Sequence, residues 1–113
     1  MIQVNVFREK NQIIAFEMSG HAESGPYGYD LVCAGVSAVS FGAINAVLKI
    51  CEIDLNLEQT DQGGYLFVSI PRLVCETKME KAQLLLEGML ISLETIEREY
   101  SKFINIETKL GVP

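Results

Sequence analysis

The stretch "GHAESGPYGYDLVCAGVSAVSFGAINAVL", Gly20–Leu48, decides how the rest of the chain is read. Its first part, Gly20–Tyr29, holds three glycines (Gly20, Gly25, Gly28) and Pro26, which break both helix and strand and predict a loop. At about ten residues the loop exceeds the usual connection, and long loops are where function concentrates. Asp30 is placed as a helix N-cap, because its carboxylate can accept a backbone N–H of the first turn. A helix is then predicted over Leu31–Ile50. The segment Leu31–Leu48 carries no charge and reaches the lower length of a membrane span. Its Gly, Ala, Ser and Asn content, with Asp30 and Lys49 directly at its ends, argues instead for a helix buried on most sides within a protein.

On either side of this stretch the chain alternates. Ile2–Phe7 and Ile13–Met18 have the period-two pattern of strands around the polar "REKNQ", which predicts a hairpin. A second hairpin follows the helix, with Leu55, Leu57 and Gln59 on one strand, a turn at Gly63-Gly64, and a return over Tyr65–Ile70 that stops at Pro71. From Glu76 to about Phe103 a long helix places Ala82, Leu85, Leu86, Met89, Leu93, Ile96 and Tyr100 on one face at spacings of three and four. Leu84 and Ile91 fall off that face. A last strand, Ile104–Thr108, completes the order ββαββαβ. The fold class expected is α+β, one domain over residues 1–113, with two helices packed on a mixed or antiparallel sheet.

Composition narrows the function. The chain has 113 residues, 49% of them apolar, and a formal charge of −6. An acidic protein lacks the lysines and arginines that displace counterions from nucleic acid, so no direct nucleic-acid partner is expected. The high apolar fraction and a mean hydropathy of +0.22 suggest surface covered by a second copy of the chain, a homodimer. The opening "MIQVNVFREK" lacks the continuous apolar run of a secretory leader, so a cytoplasmic location and no membrane partner are expected. Three widely spaced cysteines, Cys33, Cys51 and Cys75, fit reduced thiols and offer no paired zinc ligands. Neither a metal nor another cofactor is expected. The "GPYGY" run has no G-x-x-x-x-G-K and gives no nucleotide loop.

The chemistry lies in His21 and Cys33. If Asp30 caps the helix, Cys33 stands in its first turn, where the macrodipole stabilises a thiolate and free N–H groups can face an oxyanion. His21, the chain's one histidine, sits in the preceding loop, where it can serve that thiol as a base. Asp30, Cys33 and Ser37 stand at i, i+3 and i+7, on one helical face. Asp30 is thus a candidate for the helix cap, for orienting His21, or for both, and Ser37 for holding the sulfur or a substrate carbonyl. Ordinary roles exist for each: a lone Cys is commonly a small buried hydrophobe, and an Asp before a helix commonly only a cap. Cys51 and Cys75 lack a neighbouring His and are read as structural. Ser19 and Ser24 lack the strand–turn–helix elbow of a serine nucleophile.

The pair "GHA", residues 20–22, and "DLVCAGVSA", residues 30–38, resembles the ribosomal-processing cysteine proteases called Prp, whose pattern is GHA, a glycine-containing loop, then D-I-V-C-A-A-V-S. The resemblance extends along the whole chain. Leu31 replaces the usual Ile, and Gly35 replaces an Ala. The resemblance implies a protease that removes the N-terminal extension of bacterial large-subunit ribosomal protein twenty-seven during ribosome biogenesis. It implies His21 as general base, Cys33 as nucleophile, and Asp30 and Ser37 as supporting residues. It further implies a dimer, and a substrate gate formed by the loop with Ala22, Gly25, Gly28 and Tyr29. The reading from another class is a non-catalytic dimeric module that binds a ribosomal protein or an assembly intermediate, with Cys33 merely packed.

Overall fold

A computed structural model describes residues 1–21, 30–60 and 63–111. Five strands and two helices follow one another as β1 (Ile2–Glu9), β2 (Gln12–Ser19), α1 (Leu31–Ile50), β3 (Asn56–Gln59), β4 (Tyr65–Ser69), α2 (Glu76–Glu99) and β5 (Ile104–Leu110). The expected order holds. The strands form one sheet in the order β3-β4-β2-β1-β5. All neighbours are antiparallel except β1 and β5, which run parallel, so the sheet is mixed. Parallel strands need a crossover connection, and both helices supply one. The segment with α1 carries the chain from β2 past β4 to β3, and α2 carries it from β4 past β2 and β1 to β5.

The β1–β2 turn places Lys10 and Asn11 at φ 51 and 67, the paired left-handed residues of a two-residue hairpin. The pairing register shifts between Phe7 and Arg8, and the shift brings Ile13 rather than Ile14 into the core. The side-chain amide of Gln83 on α2 closes both backbone groups of Ile13, at 2.7 Å each, as a neighbouring strand would. One sheet face, with Val4, Val6, Phe16, Met18, Leu66 and Val68, packs with both helices into a single apolar core. Fully burying such a side chain stabilises the fold by about 1.5–3 kcal/mol. The opposite face carries polar pairs, including Asn5 Nδ2 donating to Glu17 Oε1 at 3.0 Å and Asn105 Nδ2 donating to Gln3 Oε1 at 2.9 Å.

Two expectations are corrected. α1 is not buried on most sides: Val32, Val36, Ser40, Ile44 and Val47 form one buried stripe, while Leu31 and Ile50 are 68% and 61% exposed. Its small residues make the helix apolar without giving it side chains that reach a core all round. By length and composition alone it would pass for a membrane span. α2 ends at Glu99, four residues before the expected Phe103, and Tyr100 is exposed. The Ile2 N–H donates to the Phe103 carbonyl at 2.8 Å, so pairing with β1 draws the chain out of the helix.

Candidate active site

One residue, Gly20, separates His21 from the end of β2, and Cys33 lies in the first turn of α1. Both residues, with Ser37, line one cavity of about 250 Å³. Its floor is apolar, made by Ile2 at the start of β1, Met18 near the end of β2, Val36 on α1 and Leu66 on β4. Its far rim is the β3–β4 hairpin, with Gln59, Thr60, Gly63 and Gly64. Tertiary structure thus brings together the His21, Cys33 and Ser37 that the sequence analysis selected. Cys33 is half-buried and His21 exposed, which gives one cavity both a thiol with substrate access and an imidazole that can exchange protons with solvent.

Asp30 is the N-cap of α1. It has extended backbone angles of φ −76 and ψ 91, and its Oδ1 accepts the Cys33 N–H at 3.0 Å. Of its two proposed roles, this geometry displays the cap. The Ala34 N–H donates to the Asp30 carbonyl at 3.0 Å, the first helical bond. The N–H groups of Cys33 and Ala34 are therefore already engaged, so neither of these two stands as a free donor for a substrate oxyanion. Asp30 fixes the sulfur's carrier by holding the first turn closed.

Ser40, one turn beyond Ser37, is a fully buried polar side chain in the cavity wall. Its hydroxyl donates to the Val36 carbonyl at 2.6 Å and lies 3.2 Å from the Met18 sulfur, so its polarity is satisfied. Tyr65 also borders the cavity, and its hydroxyl donates to Glu17 Oε2 at 2.9 Å. That bond to a carboxylate holds the phenol above its usual range. The rim residues Gln59, Thr60, Gly64 and Tyr65 were not singled out as site residues from sequence. The only signal there is the Gly63-Gly64 pair, which reads as a turn.

The remaining candidate residues separate. Ala22, Gly25, Gly28 and Tyr29, the expected gate, lie outside the described residues, as does Ser24. Cys51 is buried in the core, as read. Cys75 is exposed at the N-cap of α2 and packs into no core. Among the described residues, no group of three or more His, Cys, Asp or Glu stands together as a metal site.

A cavity with a half-buried thiol at a capped helix start and an imidazole on its wall suits acyl transfer through sulfur. A family profile described as cysteine protease Prp matches residues 1–105. The ribosomal processing cysteine protease Prp of Bacillus subtilis is 44% identical over 111 residues, covering 97% of this chain and 99% of that protein. A crystal structure of an essential ribosomal processing protease Prp from S. aureus, with a covalently linked product peptide, superposes with a TM-score of 0.87 at 37% identity. It covers 96% of this chain and 100% of the other. The same S. aureus protease with a substrate peptide gives a TM-score of 0.81 over the same shares. The chain belongs to the Prp family of cysteine proteases.

Proposed function

We propose that this protease removes the N-terminal extension of large-subunit ribosomal protein twenty-seven during ribosome biogenesis, with Cys33 as nucleophile and His21 as general base. The observation that carries the assignment of roles is the shared cavity: His21, Cys33 and Ser37 meet there, and Cys33 is held in a capped first turn. The ribosomal substrate is supported by relatives named as ribosomal processing proteases, and a covalent route by the product peptide linked to the S. aureus relative.

His21 takes the thiol proton of Cys33, and the thiolate attacks the scissile carbonyl carbon, forming a C–S bond as the carbonyl π electrons move to oxygen. Collapse of that tetrahedral species breaks the C–N bond, and the His21 imidazolium gives its proton to the departing amine. Water, deprotonated by His21, then attacks the thioester; the C–S bond breaks, the acid product leaves, and the sulfur recovers its proton. Ser37 lies one turn from Cys33 on the same cavity and is placed to hold the sulfur or the substrate carbonyl.

The enzyme acts in the cytoplasm as a homodimer. The dimer reading is supported by Leu84 and Ile91, which are 78% and 63% exposed on the outer side of α2. The test is mass spectrometry of the unprocessed ribosomal protein incubated with the wild-type chain and with Cys33→Ala. One trimmed product from the wild type alone is expected, and its mass gives the scissile bond. Intact precursor after wild-type treatment would overturn the substrate; trimming by Cys33→Ala would overturn the nucleophile.

A further inference from the structure

The ring of His21 is seated against a glycine of a different hairpin. Gly64, in the turn before β4, accepts the Gly20 N–H on its carbonyl at 2.9 Å, which ties the end of β2 to that turn. A Cβ built on Gly64 would stand 3.0 Å from His21 Nε2, 3.6 Å from Cε1 and 3.8 Å from Cδ2. The imidazole therefore crowds the place of any Cβ at position 64 and would have to give by a few tenths of an ångström to admit one. Gly20, on the residue before the histidine, has φ +87, and a Cβ there would collide with the Met1 carbonyl oxygen. Two glycines from separate hairpins thus fix where the base stands, one through the backbone and the other through the ring.

We propose that Gly64 is a positioning residue of the protease: its bare α-carbon lets the His21 ring lie at the wall of the cavity that Cys33 also lines. The catalytic part of this inference rests on His21 being the base, whereas the seating of the ring does not. Gly63 provides an internal control. It has φ +74, close to the +81 of Gly64, yet a Cβ on Gly63 meets nothing within 4 Å among the described residues. Alanine at either position bears the same left-handed backbone strain, but only Gly64→Ala presses on the imidazole.

The experiment compares wild type, Gly63→Ala and Gly64→Ala by thermal unfolding, by kcat and KM on a peptide spanning the scissile bond, and by proton NMR of the imidazole. The chain has one histidine, so the Cε1 proton reports on His21 alone. Both variants are expected to lower Tm to a similar extent. Gly64→Ala alone should move the His21 resonance, and lower kcat on the order of a hundredfold with KM little changed. Gly64→Asn keeps the Cβ while tolerating the left-handed backbone, and should give the same signature if Gly64→Ala does not fold. An unmoved His21 resonance in a folded position-64 variant, or equal kcat losses at 63 and 64, would overturn the proposal. His21→Ala measured alongside separates the two readings: full activity there removes His21 as base, while the resonance still decides whether Gly64 seats it.

Discussion

The starts of α1 and α2 are built from similar parts. Each helix follows a β-hairpin, and each begins with a cysteine: Cys33 in the first turn of α1, Cys75 at the N-cap of α2. Around Cys33 stand an Asp30 cap, a cavity of about 250 Å³ and the imidazole of His21. Cys75 makes no side-chain cap bond, is exposed, and lines none of the cavities described. The two helices are also held differently. α2 is clamped to the sheet by side-chain bonds: Gln83 to Ile13, Glu87 to Arg8 at 2.7 Å twice, and Glu97 Oε2 accepting the Ile106 N–H at 2.7 Å. α1 relies on its buried stripe and its cap. A cysteine at a helix start is therefore only an ingredient; the hairpins around α1 turn it into a site.

The sharpest way to break that contrast is to exchange the fates of the cysteines. Cys33→Ala is expected to abolish peptide cleavage with a stability change within about 1 kcal/mol, while Cys75→Ala keeps activity within about twofold. Iodoacetamide at neutral pH should label Cys33 ahead of Cys75, with a midpoint for Cys33 below the ordinary thiol value of about 8.5. Loss of cleavage in Cys75→Ala, or slower labelling of Cys33, would erase the distinction between the two helix starts.

The caps come next in size. Asp30→Ala removes the acceptor of the Cys33 N–H and should destabilise the chain by about 1 kcal/mol in denaturant unfolding. Asp30→Ser, which restores a cap without a carboxylate, is expected to recover the stability and the alkylation rate of Cys33. A Ser variant that is stable but slow would give the carboxylate a separate part in orienting His21. On the other helix, Cys75→Ser supplies the missing acceptor and should raise stability by about 0.5–1 kcal/mol.

Gly35 sharpens the account of α1. Among the described residues an added Cβ would meet only the Ile96 Cδ1, at an ordinary 3.6 Å. Gly35→Ala should therefore stabilise the chain by about 0.5–1 kcal/mol, read as a rise in Tm with cleavage unchanged. A fall in Tm would show the α1–α2 contact to be closer than the structure has it.

The smallest effect belongs to the ion pair that joins β1 to α2. Arg8 holds the Glu87 carboxylate below its usual range through a charge-assisted bond, opposed in part by burial. The pair therefore contributes stability above the unfolded carboxylate value, and that contribution is lost as pH falls through the lowered one. With the Glu87 side chain 40% exposed, solvent screening limits it to about 1 kcal/mol or less. The stability gap between wild type and Glu87→Gln should thus close in acid, and a gap that persists there would point to packing instead of charge.

Much of this was readable along the chain because the signals are local. Period-two runs mark the strands, the glycine loop and Asp30 mark the start of α1, and the spacing of Ala82, Leu86, Met89 and Leu93 marks the inner face of α2. The pair His21 and Cys33 was legible as a motif, together with the protease family it belongs to, which leaves the non-catalytic reading without support. Three features were not legible, each for a physical reason. The parallel pairing of β5 with β1 joins residues at the two ends of the chain, and an alternating pattern is the same in either direction. The early end of α2 follows from a hydrogen bond to Ile2, far away in sequence. Gly64 looked like a turn residue because its other duty depends on a ring from another hairpin lying over it. The sequence by itself determined which segments fold as helix or strand and which side chains can do the chemistry, since propensity, capping and nucleophilicity reside in single residues and their near neighbours. Only the tertiary structure decided strand direction, the cavity and the seating of His21, because these depend on contacts that form when distant segments pack.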